Sequence, residues 1–277
     1  MMSTAITRQT GKLLASATVA LVRQGADGPE LSLMLRHGNT SFADSYVFPG
    51  GLLEAQDLAV DGNCVGVDAN TANARLDVGS GGLAYYSAAA RELFEEAGVL
   101  LARTANGDWA DACALADYRE ALRAGRESWP GFLQRYRLML ACEAMHYFAF
   151  WVTPRELPKR FSTRFFLAEM PAGQSASHCG VELLDSRWMT PGAALASGQK
   201  DSLRLPHPTR VSLETLARFD TVDSMLNWAK GESLRGVHRM QPAIISVDGT
   251  QTAVRPDDDR YPDYQTADLS ADQLCDV

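Results

Sequence analysis

Short apolar runs and turn residues alternate along the first part of the chain. One apolar run covers 13–22 and a second covers 31–35, and the turn-like segment Gln-Gly-Ala-Asp-Gly-Pro lies between them at 24–29. Glycine, aspartate and proline favour tight turns, so the two runs are predicted to form a β-hairpin. Arg8 and Lys12 before the first run imitate a secretory signal. We prefer the hairpin, because it also explains the turn and the second run.

Further along, apolar periodicity separates strands from helices. Continuous apolar runs predict buried strands at 145–152, 163–168 and 181–188. Helical spacing predicts helices at 109–124, 131–141, 191–197, 208–219 and 223–230. Thr190 and Pro191 are typical of an N-cap and a first helical position. The helical insertion at 107–142 is expected to form a cap or a dimer surface, which makes a homodimer one expectation, and the polar segment 250–277 is expected to be a tail.

Bulk composition narrows the classes of function. The chain has 277 residues, 46% of them hydrophobic, so it can bury a full core as one elaborated domain, or as one domain with a smaller appendage. A net charge of -8 argues against a nucleic-acid partner. Nothing after the first hairpin reaches membrane-spanning length, so we expect a cytoplasmic protein without a membrane partner. The cysteines are odd in number and form no C-x-x-C pair, which favours reduced thiols over disulfides or zinc: Cys64, Cys113, Cys142, Cys179 and Cys275.

The stretch most informative about chemistry is 88–100, which reads A-A-A-R-E-L-F-E-E-A-G-V-L. It predicts a short helix that is alanine-rich at its start and ends at Gly98. On such a helix Glu92, Glu95 and Glu96 lie at i, i+3 and i+4, on one face. Carboxylates crowded in this way repel one another, so the pattern indicates a hard divalent cation between them.

An ordinary solvated helix is the alternative for this stretch, since Arg91 and Glu95 make a common i,i+4 ion pair. The segment upstream argues against it. Val-Phe-Pro-Gly-Gly at 47–51 provides, through Gly50 and Gly51, a backbone that can turn sharply and come close to a ligand or metal. Together the two stretches favour a catalytic site.

These residues resemble the Nudix box, which is a glycine, a spaced acid and then R-E-U-x-E-E-x-G-U, where U is aliphatic. Gly51 fits the glycine, Asp57 stands where the first glutamate is usual, and the run 91–99 fits the rest without a miss. The departure is the spacing, because the glycine-containing run 58–87 separates the acid from the arginine and looks like a looped-out insertion. The resemblance implies a Nudix-type α/β/α sandwich of class α/β (α+β), with a mixed sheet, an insertion inside the box and extra helices around a single domain.

One branch of the family is favoured, the branch that includes the peroxisomal coenzyme A diphosphatases. Members of that branch also have a long insertion inside the box. The resemblance lies in W-V-T-P at 151–154, K-R-F-S-T-R-F-F-L-A at 159–168 and W-M-T-P-G-A-A-L at 188–195. A separate signature before F-P-G-G in many coenzyme A-cleaving members is incomplete here. Leu33, Leu35 and Arg36 fit it, whereas its later arginine and glycine have no clear counterparts.

The resemblance implies a metal-dependent pyrophosphohydrolase that uses Mg²⁺ or Mn²⁺. Glu95 and Glu96 would be the main metal ligands, and Glu92 would be either a third ligand or the general base. Arg91 would orient a box carboxylate. Glu182 would be a further ligand or base, or alternatively an edge-strand glutamate facing water.

A nucleoside diphosphate derivative is the expected small-molecule partner. Arg36, Gly50 and Gly51 are the expected substrate-binding residues, since guanidinium grips phosphate well. Coenzyme A or acyl-coenzyme A, cleaved to 3',5'-ADP and a phosphopantetheine, is the substrate that the branch implies. The alternatives are an ADP-ribose or NADH pyrophosphatase and a catalytically silent nucleotide-binding Nudix protein, which the intact acids disfavour.

Overall fold

The computed structural model describes residues 13–36, 44–176, 183–200 and 202–262. The strands are β1 (Leu13–Gly25), β2 (Gly28–Arg36), β3 (Tyr46–Val47), β4 (Gly50–Leu52), β5 (Cys64–Val65), β6 (Ala102–Arg103), β7 (Met139–Ala141), β8 (His146–Val152), β9 (Arg160–Glu169), β10 (Leu183–Met189), β11 (Arg239–Met240), β12 (Ala243–Val247) and β13 (Thr250–Val254). The α-helices are α1 (Ala69–Leu76), α2 (Gly82–Ala97), α3 (Ala116–Arg123), α4 (Trp129–Arg135), α5 (Pro191–Gln199), α6 (His207–Leu216) and α7 (Val222–Arg235).

A mixed sheet in the order β10-β2-β1-β9-β8-β11 forms the centre, with β3 paired to β2 and β4 paired to β1. The predicted hairpin is confirmed, since β1 and β2 pair antiparallel around the turn at Gly28. The long central strand β1 also runs parallel to β9, from the pair Leu13 and Arg160 to the pair Val22 and Glu169. β1 therefore joins strands that lie far apart in the sequence.

Helices cover both faces of the sheet because successive strand residues point to opposite sides. Val19 and Leu21 of β1 belong to the core that includes the buried side chains of α2. Ala20 and Val22 belong to the core on the other face, which includes residues of α6 and α7. The result is an α/β/α sandwich, which confirms the predicted fold class.

Helix α2 lies between the sheet and the surrounding segments and begins earlier than predicted. It starts at Gly82 instead of residue 88, and it ends as predicted at Gly98, whose N–H donates to the carbonyl of Phe94 at 2.9 Å. Of the residues in this fully described helix, only Glu92 and Glu95 are not buried. The solvent-accessible part of α2 is therefore the part that carries Glu92 and Glu95.

The run 58–87, predicted to be an insertion within the box, is folded into the structure. It contains the end of a 3-10 helix over Ala55–Asn63, then β5, α1 and the first turns of α2. Apolar residues within the run join the core that covers α2, and this burial holds the run against the helix: Val60, Val67, Ala72, Leu76 and Leu83.

The segment 107–142 contains less helix than predicted. Helices α3 and α4 are short, and 139–141 is the strand β7 of a small sheet in the order β5-β7-β6. Ser128 caps α4, its hydroxyl accepting from the N–H of Gly131 at 3.2 Å. Arg137 has a positive φ of 51°, a conformation that stops a helix. The apolar periodicity of 131–141 did not indicate that the last residues of this run form a strand.

The C-terminal part agrees with the predicted helices. Thr190 caps α5 as expected, accepting from the N–H of Ala193 at 3.3 Å. The segment from residue 250 onward, predicted to be a polar tail, begins with β13, which pairs with β12 in a separate hairpin. Among the helices of the described ranges, none combines the length and apolar character that crossing a membrane requires.

Gly82→Ala should destabilise the fold. A Cβ at this position would lie 2.6 Å from the backbone C of Ala72 and the N of Asn73, where α1 approaches α2. Overpacking against backbone costs about 1–3 kcal/mol of unfolding free energy, which chemical denaturation measures. Gly79→Ala is the matched control, because its Cβ would meet no atom within 4 Å. Equal stabilities for the two variants would contradict this packing.

Candidate active site

A buried ion pair between Arg91 and Asp57 lies at the centre of the acidic cluster. Arg91 is 1% exposed and Asp57 is 0% exposed. The Arg91 Nε donates to Asp57 Oδ1 at 3.2 Å, and Nη2 donates to Asp57 Oδ2 at 3.0 Å. Nη2 also donates to the carbonyl of Leu52 at 2.9 Å. This pair of hydrogen bonds joins the segment that contains Asp57 to helix α2 in one fixed orientation.

Asp57 is held from the other side as well. The hydroxyl of Ser87, one turn before Arg91 on α2, donates to Asp57 Oδ1 at 2.9 Å. Trp129 Nε1 donates to that same hydroxyl oxygen at 3.0 Å. The backbone N–H of Glu54 donates to Asp57 Oδ2 at 2.9 Å. The helical segment 107–142 thus supports the site through Trp129.

The third nitrogen of Arg91 faces the remaining acids. Its Nη1 donates to Glu92 Oε1 at 3.0 Å and lies 3.7 Å from an oxygen of Glu54 and 3.7 Å from an oxygen of Glu95. Arg91 therefore contacts several carboxylates at once, and its own side chain is enclosed by them. A buried cation among several acids balances only part of their charge.

The pKa values of the site reflect this crowding. Burial raises the pKa of the Glu92 carboxyl to about 7, although the neighbouring Arg91 opposes the shift. Burial also raises the pKa of Glu95, again against Arg91. Burial disfavours the charged form of Arg91, but its hydrogen bond to Asp57 and the charge of Glu92 outweigh burial and raise its pKa above the ordinary value. A further positive charge nearby would stabilise the charged forms of Glu92 and Glu95 and so lower their pKa values.

Two glycines allow the backbone to approach the acids. The N–H of Gly50 donates to Glu96 Oε2 at 2.7 Å, and Glu96 is 4% exposed. A Cβ on Gly50 would lie 2.4 Å from the carbonyl oxygen of Ala17. A Cβ on Gly51 would lie 2.3 Å from Glu92 Oε1. At Gly50 the added Cβ would meet backbone, so glycine is required there, whereas at Gly51 it would displace the flexible end of Glu92.

Two clefts meet at this cluster. The first, which we call the sheet-side cleft, has a volume of about 710 Å³ and is lined by residues that include Gly50, Gly51, Glu92 and Glu96. The second, the helix-side cleft, has a volume of about 640 Å³. It is lined by Glu92 and Glu95 and by the segment that joins α3 to α4. Glu54 and Glu92 line both clefts, so they mark the junction.

The predicted site residues are mostly brought together. Arg36 lies on the wall of the sheet-side cleft, together with Gly50 and Gly51. Glu182 lies outside the described residues. Among the residues that the structure describes, no three or more His, Cys, Asp or Glu side chains are grouped so that they could hold a metal ion. The contacts explain this, because Glu92 points to Arg91 and Glu96 to the N–H of Gly50. The donors themselves, the carboxylate oxygens of Glu92, Glu95 and Glu96, are of the chemical type that a hard divalent cation binds.

Sequence reasoning missed two parts of this site. Glu54 was overlooked, although its E-x-x-D spacing with Asp57 matches the reciprocal capping box that the structure contains. The far end of the sheet-side cleft was also missed, since it brings Trp151 together with His207 and with Ile244 of β12. Local sequence carried no signal for this second part, because its members come from distant segments.

Comparisons with known proteins agree on one family. The chain matches the NUDT19 Nudix domain over residues 65–216. It is 25% identical over 272 residues to the acyl-coenzyme A diphosphatase NUDT19 of Xenopus laevis, with 84% of this chain and 72% of that protein covered. It is 26% identical over 285 residues to the protein of the same name from Homo sapiens, with 85% and 73% covered.

A solved structure supports the fold. The crystal structure of a NUDIX hydrolase from Alicyclobacillus acidocaldarius superposes with a TM-score of 0.64 at 23% identity. The superposition covers 79% of this chain and 97% of that one. At this identity the likeness concerns the fold.

Arg91→Leu should be among the most destabilising single substitutions in the chain. It would leave the fully buried Asp57 without its cation, which typically costs about 3–5 kcal/mol of unfolding free energy. Arg235→Leu is the control, because the Arg235–Glu232 pair is exposed and should contribute no more than about 1 kcal/mol. Similar denaturation midpoints for the two variants would argue against the central role of the buried pair.

Gly51→Ala should impair turnover while leaving the fold intact. The added Cβ meets the flexible end of Glu92, so the carboxylate moves aside and its catalytic position is lost. A displacement near 1 Å costs roughly 100-fold in rate. Hydrolysis of a diphosphate-linked substrate measures the loss, and thermal unfolding checks the fold. Gly62→Ala, whose Cβ meets no atom within 4 Å, should retain full activity. Full activity in Gly51→Ala would contradict the placement of Glu92.

Proposed function

The chain belongs to the family of the NUDT19 Nudix domain, and on that premise we propose that it hydrolyses the diphosphate of coenzyme A or acyl-coenzyme A. The products would be 3',5'-ADP and a phosphopantetheine or its acylated form. The relatives from Xenopus laevis and Homo sapiens are both named acyl-coenzyme A diphosphatases, which supports this substrate class. The single structural observation that supports it is the position of Glu92, which lines both clefts, with Glu95 in the wall of the helix-side cleft and Glu96 in the wall of the sheet-side cleft.

A diphosphate requires a site with an unusual balance of charge. Its anionic oxygens repel both the attacking water and the carboxylates of α2, so the acids alone would exclude the substrate. A bound Mg²⁺ or Mn²⁺ would neutralise those oxygens and lower the pKa of a coordinated water. Glu95 and Glu96 are the residues proposed to hold it, with Glu92 as third ligand or as base.

The rest of the site positions these acids. Arg91 holds Glu92 by the 3.0 Å hydrogen bond from Nη1. The N–H of Gly50 holds Glu96 at 2.7 Å. These bonds hold the Glu92 and Glu96 carboxylates at the walls of the sheet-side cleft before a substrate enters. Arg36 on the cleft wall is proposed to contact a phosphate of the substrate.

A substrate panel tests the proposal. The purified protein is incubated with coenzyme A, an acyl-coenzyme A, ADP-ribose and NADH, with Mg²⁺ and then Mn²⁺, and the products are resolved by mass. Release of 3',5'-ADP from the coenzyme A compounds, lost on chelation and restored by either metal, is the expected result. Cleavage of ADP-ribose or NADH alone would retain the chemistry and discard the proposed substrate.

Glu95→Gln and Glu96→Gln should each reduce kcat by orders of magnitude. Glutamine keeps the shape of glutamate, and at position 96 it can still accept from the N–H of Gly50, but it removes the charge that a metal needs. Glu120→Gln is the matched control, since Glu120 is an exposed residue of α3 that pairs with Arg123. Circular dichroism would verify the fold. Near-normal rates in both site variants would overturn the assignment.

A further inference from the structure

The floor of the sheet-side cleft crosses the sheet from β4 to β8. Cross-strand pairing sets Leu52 beside Ser16, Ser16 beside Thr163 and Thr163 beside Trp151. All four residues line the cleft. Because neighbouring strands lie about 4.8 Å apart, Trp151 is roughly 14 Å from Leu52 across the floor. The cleft thus has a near end at β4 and a far end at β8.

The two ends differ in chemistry. At the near end, Gly50 and Gly51 of β4 approach Glu96 and Glu92. At the far end the polar side chains of Lys159 and His207 stand among a mainly apolar lining, which includes Trp151, Pro154, Leu157, Phe161, Ile244 and Ala253. An apolar surface of this kind binds a ligand by excluding water, so it favours a hydrocarbon over a charged or strongly hydrogen-bonding group.

The far wall is the hairpin of β12 and β13. Its ends are anchored, since Ala243 is 0% exposed and Val254 is 2% exposed. The N–H of Ile244 donates to Glu156 Oε2 at 3.3 Å, which ties β12 to the segment after β8. The hydroxyl of Tyr261 donates to the carbonyl of Gln241 at 2.6 Å. These contacts hold the wall in place over the cleft.

The hairpin lies beyond the part of the chain that the family match covers. That match ends at residue 216, whereas the hairpin covers 243–254. The catalytic acids and the far wall therefore come from different parts of the chain. A wall of this kind can set the preference for a substrate without altering the chemistry at Glu95 and Glu96.

We propose that the far end of the sheet-side cleft binds the acyl group of acyl-coenzyme A and that Ile244 in the hairpin wall sets the preferred chain length. The inference rests on the function proposed above. With the diphosphate at the acids, a ligand must span roughly 14 Å to reach Trp151. An extended chain of roughly eleven single bonds covers this distance, because each bond of about 1.5 Å is inclined to the chain axis and adds less than its own length. The pantetheine arm has a comparable length, so it would bring the thioester to Trp151 and the acyl chain to the hairpin.

The adenosine half of the substrate fits the far end less well. A purine would place its ring nitrogens against Leu157, Phe161 and Ile244, where they would lose hydrogen bonds to water. An acyl chain loses no hydrogen bonds there and gains burial. The chemistry of the wall therefore favours the acyl arm.

Chain-length selectivity tests the inference. The values of kcat/KM are measured for free coenzyme A and for acetyl-, octanoyl- and palmitoyl-coenzyme A, with the wild type and with Ile244→Glu. We expect the wild type to prefer a longer acyl chain, and Ile244→Glu to lower the ratio of acylated to free substrate about tenfold. The readout is the ratio within each variant, from which any loss that free and acylated substrates share cancels. Ile244→Trp, which fills the space, should shift the preference towards shorter chains.

Ile245→Glu is the matched control. Ile245 is the next residue of β12 and points to the opposite face of the hairpin, so the same charge there should leave the ratio unchanged. The inference is overturned if the wild type shows no chain-length preference, if both glutamate variants act alike, or if Ile244→Glu impairs free and acylated substrates equally. If no coenzyme A compound is cleaved at all, the proposed function has failed instead, so the two failures are distinguishable.

Discussion

The buried pair of Arg91 and Asp57 is the interaction on which the active site depends. It joins the 3-10 segment after β4 to the middle of α2, and it does so without contact with water. Charges removed from water are stable only when every partner is in place, and here Ser87, Leu52 and the acids around Nη1 complete the set. The glycines at β4 and the acids of α2 are thereby fixed to each other, and two clefts open from the point where they meet.

The sequence predicted the local parts of this arrangement well. Carboxylates at i, i+3 and i+4 share a helix face whatever the tertiary structure, so Glu92, Glu95 and Glu96 were recognisable from spacing alone. Gly98 marked the end of α2 because a left-handed cap favours glycine. The start of α2 was wrong, since Gly82 is unfavourable within a helix by intrinsic propensity; close packing against α1 determines it. Tertiary contact overrode the local preference there.

The parts of the site that are assembled from distant segments could not be predicted from local sequence patterns. Trp151, His207 and Ile244 meet at one end of a cleft, but they belong to β8, α6 and β12. The hairpin of β12 and β13 was not predicted, because it contains exposed polar residues such as Thr250 and Gln251. Its sequence therefore lacks a clear alternation of apolar and polar residues. The strand β7 was missed for a similar reason, because its partners β5 and β6 are only two residues long and give almost no signal of their own.

The parallel pairing of β1 with β9 has a consequence for how the chain folds. Residue 13 pairs with residue 160, and the ladder continues to residues 22 and 169. Loop closure over such a separation is slow compared with the formation of a helix or hairpin. During synthesis from the N-terminus, β1 and β2 must wait for β9 to leave the ribosome, with one edge of β1 unpaired. The early hairpin is therefore the segment in which unwanted strand pairing between nascent chains would begin.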